Sequence, residues 1–342
     1  MDSALTASGA ASADAQEPPV SPSRGRRTAA WLAGLLLLVP TVVVGCRTAG
    51  VDGSTPLPQL LAFLPWLLAP AGAALLFALL ARWRTGMVWS VVVLAVTGWF
   101  VRPYDTGLAD DPPGPVVATL TVLTSNVEFG QATEGLIEVL QREQPDLVFV
   151  QECEYTCSKA LSARVSRADY PYRNVIEGYA ASGSAILSKR PLRPAPGIAA
   201  TFAMPGSVAD LGGDRTVNLQ LAHPLPPIPR GVKKWRRELS MVRAYAAGVK
   251  GQTTLLAGDF NASQDHAAFR RVLEAGSLHD SAALAGASRT PSWPTSMPRP
   301  LGTQIDHVLI SKDFSVVEAR FLDLENTDHR SLLVELELHD DR

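Results

Sequence analysis

The sequence predicts a chain in two unlike parts, three membrane-spanning helices followed by one α/β domain. Three observations predict it. Nearly all the long uncharged apolar runs fall before residue 102, a Pro-, Gly- and Asp-rich stretch follows them, and short strands then alternate with amphipathic helices. The 342 residues carry a net charge of -2 and are 46% hydrophobic. Those averages mix the two parts, so the overall charge excludes no class of partner and only its distribution is informative.

Residues 1–23 are rich in Ala, Ser, Asp and Pro and hold almost no large apolar side chains. They predict a disordered tail, which with Arg24, Arg26 and Arg27 makes a cytoplasmic segment over residues 1–27. Uncharged runs follow at 28–45, 55–81 and 85–101, each about long enough to cross a bilayer, so 28–101 reads as a transmembrane region. The second run contains Pro56, Pro58, Pro65 and Pro70, which a membrane helix tolerates better than a soluble core helix. Trp31, Trp66, Trp83, Trp89 and Trp99 lie in or beside the runs, as interfacial anchors do. A buried helical core is the competing reading, but three successive charge-free runs oppose it.

Positive charge prefers the cytoplasm. Arg24, Arg26 and Arg27 precede the first run and Arg82 and Arg84 separate the second from the third, so both sites are placed inside. Everything after Val101 then lies outside, with Arg102 a small counter-signal. Val43-Val44-Gly45-Cys46 is similar to a lipoprotein cleavage box, but the long preceding tail and the two further runs favour an uncleaved helix.

Residues 102–116 form the linker, and 117–342 form the α/β domain. Strands are predicted at 116–125, 146–151, 184–187, 216–222, 253–257, 305–310 and 332–336, with helices at 133–142 and 232–249. Of the three cysteines, Cys153 and Cys157 are four apart. On a helix they would share a face and an oxidising compartment could join them with some distortion, but two small semi-buried side chains are expected. No spacing suggests a zinc site.

Polar residues recur where predicted strands end: Asn126, Glu152, His223, Asp259 with Asn261, Asp306 with His307, and Asp328 with His329. Strand ends along one sheet edge are where an α/β site is built. A hard dication takes oxygen ligands, and Asn126, Glu152 and Asp328 supply a set for Mg²⁺, with Mn²⁺ as a substitute. Hydrolysis of a phosphate ester needs an activated water and a charge clamp on the phosphate oxygens, and an Asp–His pair keeps an imidazole oriented and charged. His307 reads as packing, and His266 and His279 as surface or capping residues.

In the ordered motifs SN, QE, GxAILSKRP, H, GDFN, IDH and DHR, the chain resembles the endonuclease/exonuclease/phosphatase family over nearly all of residues 118–338. The resemblance implies a two-sheet, four-layer α/β sandwich of the deoxyribonuclease-I-like type, with a metal at one edge of the sheets. It implies Glu152 as the principal Mg²⁺ ligand, with Asn126 and Asp328 nearby. Asp259 would orient or deprotonate the attacking water, Asn261 and His223 would contact phosphate oxygens, and Asp306 would hold His329 against the scissile phosphate.

Two further segments bear on substrate. Residues 230–237 (RGVKKWRR) gather Arg230, Lys233, Lys234, Arg236 and Arg237 around Trp235. Lys234 and Trp235 are candidate contacts to a nucleic-acid backbone or anionic headgroup, against the favoured reading of a solvated first helical turn with its Trp packed inward. The stretch between Asn261 and Asp306 is short and ends in the Pro-rich SRTPSWPTSMPRP, with no large DNA-gripping insertion. The expectation is an extracytoplasmic Mg²⁺-dependent phosphodiesterase or nuclease on a multi-pass anchor. A phosphatase or lipid-headgroup phosphodiesterase is the alternative, although no apolar loop stands out for insertion into lipid. A non-catalytic membrane sensor is the alternative of another class. Substrates would be nucleic acid, nucleotide or lipid headgroup, and no protein partner is expected.

Overall fold

The structure is a computed structural model and describes residues 23–103, 112 and 114–340. Residues 1–22 of the expected tail and 104–111 and 113 of the expected linker lie outside the described residues. The first helix, α1 (Arg24–Thr48), begins earlier than expected and takes in the three arginines assigned to the tail. The second apolar run is not one helix. It divides into α2 (Leu57–Ala62), a 3₁₀ turn (Leu64–Leu67) and α3 (Leu68–Ala81), followed by α4 (Arg84–Val101). The prolines dictate this: Pro58, Pro65 and Pro70 each sit in a first turn, where the missing N–H has no intrahelical partner to lose.

Three stretches, α1, Leu64–Ala81 and α4, are long and apolar enough to cross a membrane. They pack through Leu37, Ala71, Ala74 and Val93, the small residues of α3 letting the backbones approach closely. The Trp89 indole donates to Thr41 Oγ1 at 2.9 Å. Leu35, Leu38, Leu76, Leu80 and Val91 face outward and are more than half exposed, an apolar girdle that water would penalise.

The rest of the chain runs β1 (Val116–Asn126), α5 (Thr133–Glu143), β2 (Leu147–Gln151), α6 (Tyr155–Arg164), β3 (Tyr172–Ile176), β4 (Ser184–Ser188), β5 (Leu192–Ala199), β6 (Ala203–Gly212), β7 (Arg215–Ala222), α7 (Val232–Gly248), β8 (Thr254–Asp259), α8 (Ala267–Gly276), β9 (His279–Asp280), α9 (Ser281–Leu284), β10 (Asp306–Ile310), β11 (Phe314–Asp323) and β12 (Arg330–His339). Two six-stranded sheets form, ordered β11-β12-β1-β2-β4-β3 and β5-β6-β7-β8-β10-β9. Strand periodicity builds the layers. Leu120, Val122, Leu147 and Phe149 point between the sheets with Leu219, Leu255 and Val308, whereas Leu123, Val148 and Val150 point outward onto α5 and α6. Leu256 and Leu309 do the same beneath α7 and α8. This is the expected four-layer sandwich.

One parallel pair lies inside each sheet, β1–β2 and β7–β8. Their carboxyl ends share an edge with the amino ends of the antiparallel strands β10 and β12. Gly258 is required there, because a Cβ on it would lie 1.9 Å from Ala222 O on the adjacent strand.

Cys153 and Cys157 form a disulfide, contrary to expectation. Cys153 precedes α6 rather than lying on it, so the chain turns freely enough to bring the Cα atoms to 5.1 Å.

The apolar helices also contact the sandwich directly. Asp52, in the loop after α1, accepts from the backbone N–H groups of Ala267 and Ala268 at 2.6 and 3.0 Å, capping α8, whose own His266 supplies no cap. His266 is buried, not on the surface, and bonds Pro58 O at 2.8 Å. Asp265 holds Arg47 at 3.2 Å and Arg289 through two contacts at 2.6 and 3.0 Å, while Arg289 also donates to Phe100 O at the end of α4. Thr303 donates to Ala62 O. Asp52→Ala is therefore expected to cost about 0.5–2 kcal/mol, read from the unfolding midpoint of the full chain in detergent. Amide exchange at Ala267 and Ala268 should quicken, and Asp52→Asn should restore most of the protection.

Candidate active site

Each site residue is positioned by the end of a strand. Asn126 closes β1, and its amide nitrogen donates to Glu152 Oε1 and Asp259 Oδ2, both at 3.1 Å. Its Oδ1 accepts from Glu128 N–H at 3.0 Å, which leaves one lone pair for any other role. Glu152 follows β2 at a φ of 57°, and its Oε2 accepts from Phe129 N–H at 3.1 Å. Asn261 also has a positive φ, 48°. Left-handed backbone at two such residues costs on the order of 1–3 kcal/mol each and persists where surrounding contacts enforce it.

Asp259 ends β8 directly opposite Asp306 of β10. Its Oδ1 accepts from Asn261 N–H at 2.7 Å, and its Oδ2 lies 3.7 Å from His329 Nε2. Asp306 Oδ2 bonds His329 Nδ1 at 2.9 Å, the expected pair. His223, after β7, stacks on Phe202 and places Nε2 3.7 Å from Glu152 and 3.9 Å from Asp259. Asp328 lies 3.7 Å from His329 Nε2. The structure thus brings Asn126, Glu152, His223, Asp259, Asn261, Asp306, Asp328 and His329 to one edge.

It does not bring Lys234 and Trp235 there as substrate contacts. Trp235 is fully buried in α7 and donates to Asn261 O at 3.0 Å, so it supports the site from behind and offers no face for a base. Lys234 is exposed on the first turn of α7.

Three supporting residues escaped sequence reasoning. Trp293 donates its indole N–H to Asp328 Oδ2 at 2.7 Å, Glu128 accepts from Asp328 N–H at 2.7 Å, and the Ser292 hydroxyl accepts from Asp306 N–H at 3.1 Å. Trp293 alone carried a signal, as a large aromatic in a polar, Pro-rich loop.

The electrostatics are lopsided: Glu152, Asp259, Asp306 and Asp328 surround His329. Burial disfavours the His329 charge, but Asp306 and Asp259 overcome this and raise its pKa to about 10. Burial, then the charge on His329, depresses His223 to about 3, so its ring is neutral. Burial also raises Glu152, against hydrogen bonds from Asn126 and Phe129, and raises Asp259 against the pull of His329. Excess buried negative charge with oxygen donors fits a hard dication. Among the described residues, Asp259, Asp306 and His329 offer ligand atoms within 4.8 Å of one another. Within that group Asp306 and His329 already hydrogen-bond each other, and Glu152 and Asp328 add further carboxylate oxygens at the same edge.

The sequence profile described as the endonuclease/exonuclease/phosphatase family matches residues 123–329. No curated protein is significantly similar in sequence. Among solved structures, D. rerio TDP2 complexed with a single strand DNA product has 15% identity, covers 64% of this chain and 99% of its own, and superposes with a TM-score of 0.51. A functionally unknown conserved protein from Enterococcus faecalis V583 gives 15% identity, 64% and 100% coverage and a TM-score of 0.51. At that identity the two likenesses speak for the fold.

Replacing Asp306 with Asn removes the principal support of the His329 charge. In an NMR titration, wild-type His329 should stay protonated until about pH 10, whereas in Asp306→Asn it should titrate well below that, because burial still opposes the charge and only Asp259 and Asp328 remain to support it. A raised folded pKa stabilises the fold fully below the ~6.5 of free histidine and is lost as pH rises toward about 10. In the variant this alkaline loss should be smaller and set in at a lower pH.

Proposed function

Because the chain belongs to the endonuclease/exonuclease/phosphatase family and is a metal-dependent phosphoester hydrolase, we propose that it is a membrane-anchored phosphodiesterase working outside the cytoplasm. The observation that carries the catalytic part is the cationic His329, held by Asp306 and set 3.7 Å from Asp259. Glu152 and Asp328, with Asn126 beside them, would hold Mg²⁺ or Mn²⁺, which supplies positive charge at the phosphate.

The chain's own groups do the rest. Ionised Asp259 takes a proton from a water, whose oxygen forms the new P–O bond as the bond to the ester oxygen opposite breaks. The departing alkoxide is protonated by solvent. His329 Nε2 donates to a non-bridging oxygen as charge builds there, and preorganised donors of this kind are worth about 2.7–4 kcal/mol each. Asn261 uses one amide hydrogen on Pro224 O and keeps the other for the phosphate. His223, neutral at pH 7, can donate one N–H.

For the location, the support is threefold. Three stretches are apolar and long enough to span, Arg26 shares an end of the bundle with Ala81 and Arg82, and the sandwich docks at the opposite end through Arg47 and Phe100. The Cys153–Cys157 disulfide suits an oxidising compartment. A nuclease is the narrower form of this reading, favoured by the DNA product bound to TDP2 and by the exposed Lys233, Lys234, Arg236 and Arg237. Buried Trp235 removes its stacking platform.

Purified full-length protein should hydrolyse a chromogenic phosphodiester with Mg²⁺ or Mn²⁺ and stop when EDTA is added. Asp259→Ala and His329→Ala should each lower kcat by roughly 10²–10⁴. Turnover that survives both substitutions would overturn the assignment.

A further inference from the structure

A cavity of about 270 Å³ opens between the sandwich and the segment that leads into α3. Its walls are apolar: Ala62 and Phe63 on the membrane side, and Pro226, Pro227, Ile228 and Trp293 on the sandwich side. Two contacts join it to the phosphate site. Asn261 lines it and donates its backbone N–H to Asp259, and Trp293 lines it and donates to Asp328. At the other end lies the apolar stretch Leu64–Ala81. Phe63 packs edge-on against Trp66 of the 3₁₀ turn, from which α3 begins. Ile228 stands 52% exposed on the loop LPPIP after β7, so the sandwich does carry an apolar loop beside its membrane segment, contrary to the sequence expectation.

We propose that the substrate is a membrane-lipid phosphoester whose apolar chain enters this groove while its phosphate sits at Glu152 and His329. The reading rests on the phosphoesterase function above and names its substrate class. Three observations select a lipid chain as occupant. One wall of the groove, Gln59, Ala62 and Phe63, belongs to the segment that continues into the apolar stretch Leu64–Ala81, which under the anchored reading brings it beside a bilayer. The groove ends on two residues that touch the catalytic carboxylates. Its lining has no exposed cation for a polyanion, while the exposed basic residues of α7 lie elsewhere. A volume just under the ~300 Å³ of small-molecule pockets takes part of one chain, leaving the remainder in the bilayer. Water adds to phosphorus and the bond to one ester oxygen breaks, releasing a phosphate-bearing and a hydroxyl-bearing product with no redox partner.

The test uses the full chain in nanodiscs and three probes: vesicles of phosphatidylglycerol and phosphatidylcholine, single-stranded DNA, and a p-nitrophenyl phosphodiester too small to need the groove. Ile228→Asp charges the exposed wall, and Ala62→Phe fills the groove. Each should lower kcat/KM on vesicle lipid at least tenfold, chiefly through KM, and leave the soluble diester within twofold. Lipid turnover unaffected by both variants, or equal losses on lipid and soluble diester, would overturn the groove assignment. So would hydrolysis of DNA or the soluble diester with none of lipid, which leaves the phosphoesterase standing. Absence of turnover on all three probes overturns the catalytic reading and this one with it.

Discussion

The structure depends on holding Glu152, Asp259, Asp306 and Asp328 within reach of one imidazolium. Four carboxylates around one His329 repel each other, and burial makes every charge more costly. A loop would splay apart under that load. Here each group is fixed by the end of a strand, with Asp259 and Asp306 paired across a ladder. The parallel pairs β1–β2 and β7–β8 follow from this need, since only strands running the same way deliver successive carboxyl ends to one edge. The left-handed backbone at Glu152 and Asn261 is the residue of the same constraint: the chain must leave its strand and aim a side chain in one step.

How much of this was legible in the sequence depends on the range of the interaction. Strands β1, β2, β7, β8, β10 and β12 announced themselves by apolar runs, and the polar residue closing each run marked the site edge. Those signals are local. Strands β3 and β5 are largely exposed and lack a buried alternation, so no periodicity revealed them. The disulfide required knowing that α6 starts after Cys153. For Trp235 the charged neighbours Lys234 and Arg236 left a substrate contact open beside the favoured inward packing, and the helical period does turn it inward while they face solvent.

The docking of the apolar helices on the sandwich was not legible at all. Asp52 caps α8 across 215 positions of sequence, and Arg47 meets Asp265 across 218. Nothing near Asp52 distinguishes it from a loop aspartate. Only the partner does, a helix whose first residues have no cap of their own. Prolines in the second apolar run looked like tolerated irregularities, but they break it so that the segment from α2 to the 3₁₀ turn packs on α1 and α4 through Leu61, Leu64 and Leu67 while Ala62 O reaches Thr303 of the sandwich.

That docking fixes how the two parts of the chain meet. A flexible linker alone would let the sandwich tumble relative to the apolar helices and present the site in any direction. Contacts from Asp52, Pro58 and Ala62 to α8, His266 and Thr303 fix one face of the sandwich toward the apolar helices instead. Beside them in the groove between the two parts lie Asn261 and Trp293, two of the residues that hydrogen-bond the site carboxylates. A rigid joint so close to the chemistry restricts the directions from which a substrate can approach, and the direction left beside α2 is lined by apolar side chains. Orientation, rather than mere proximity, is what such a joint adds.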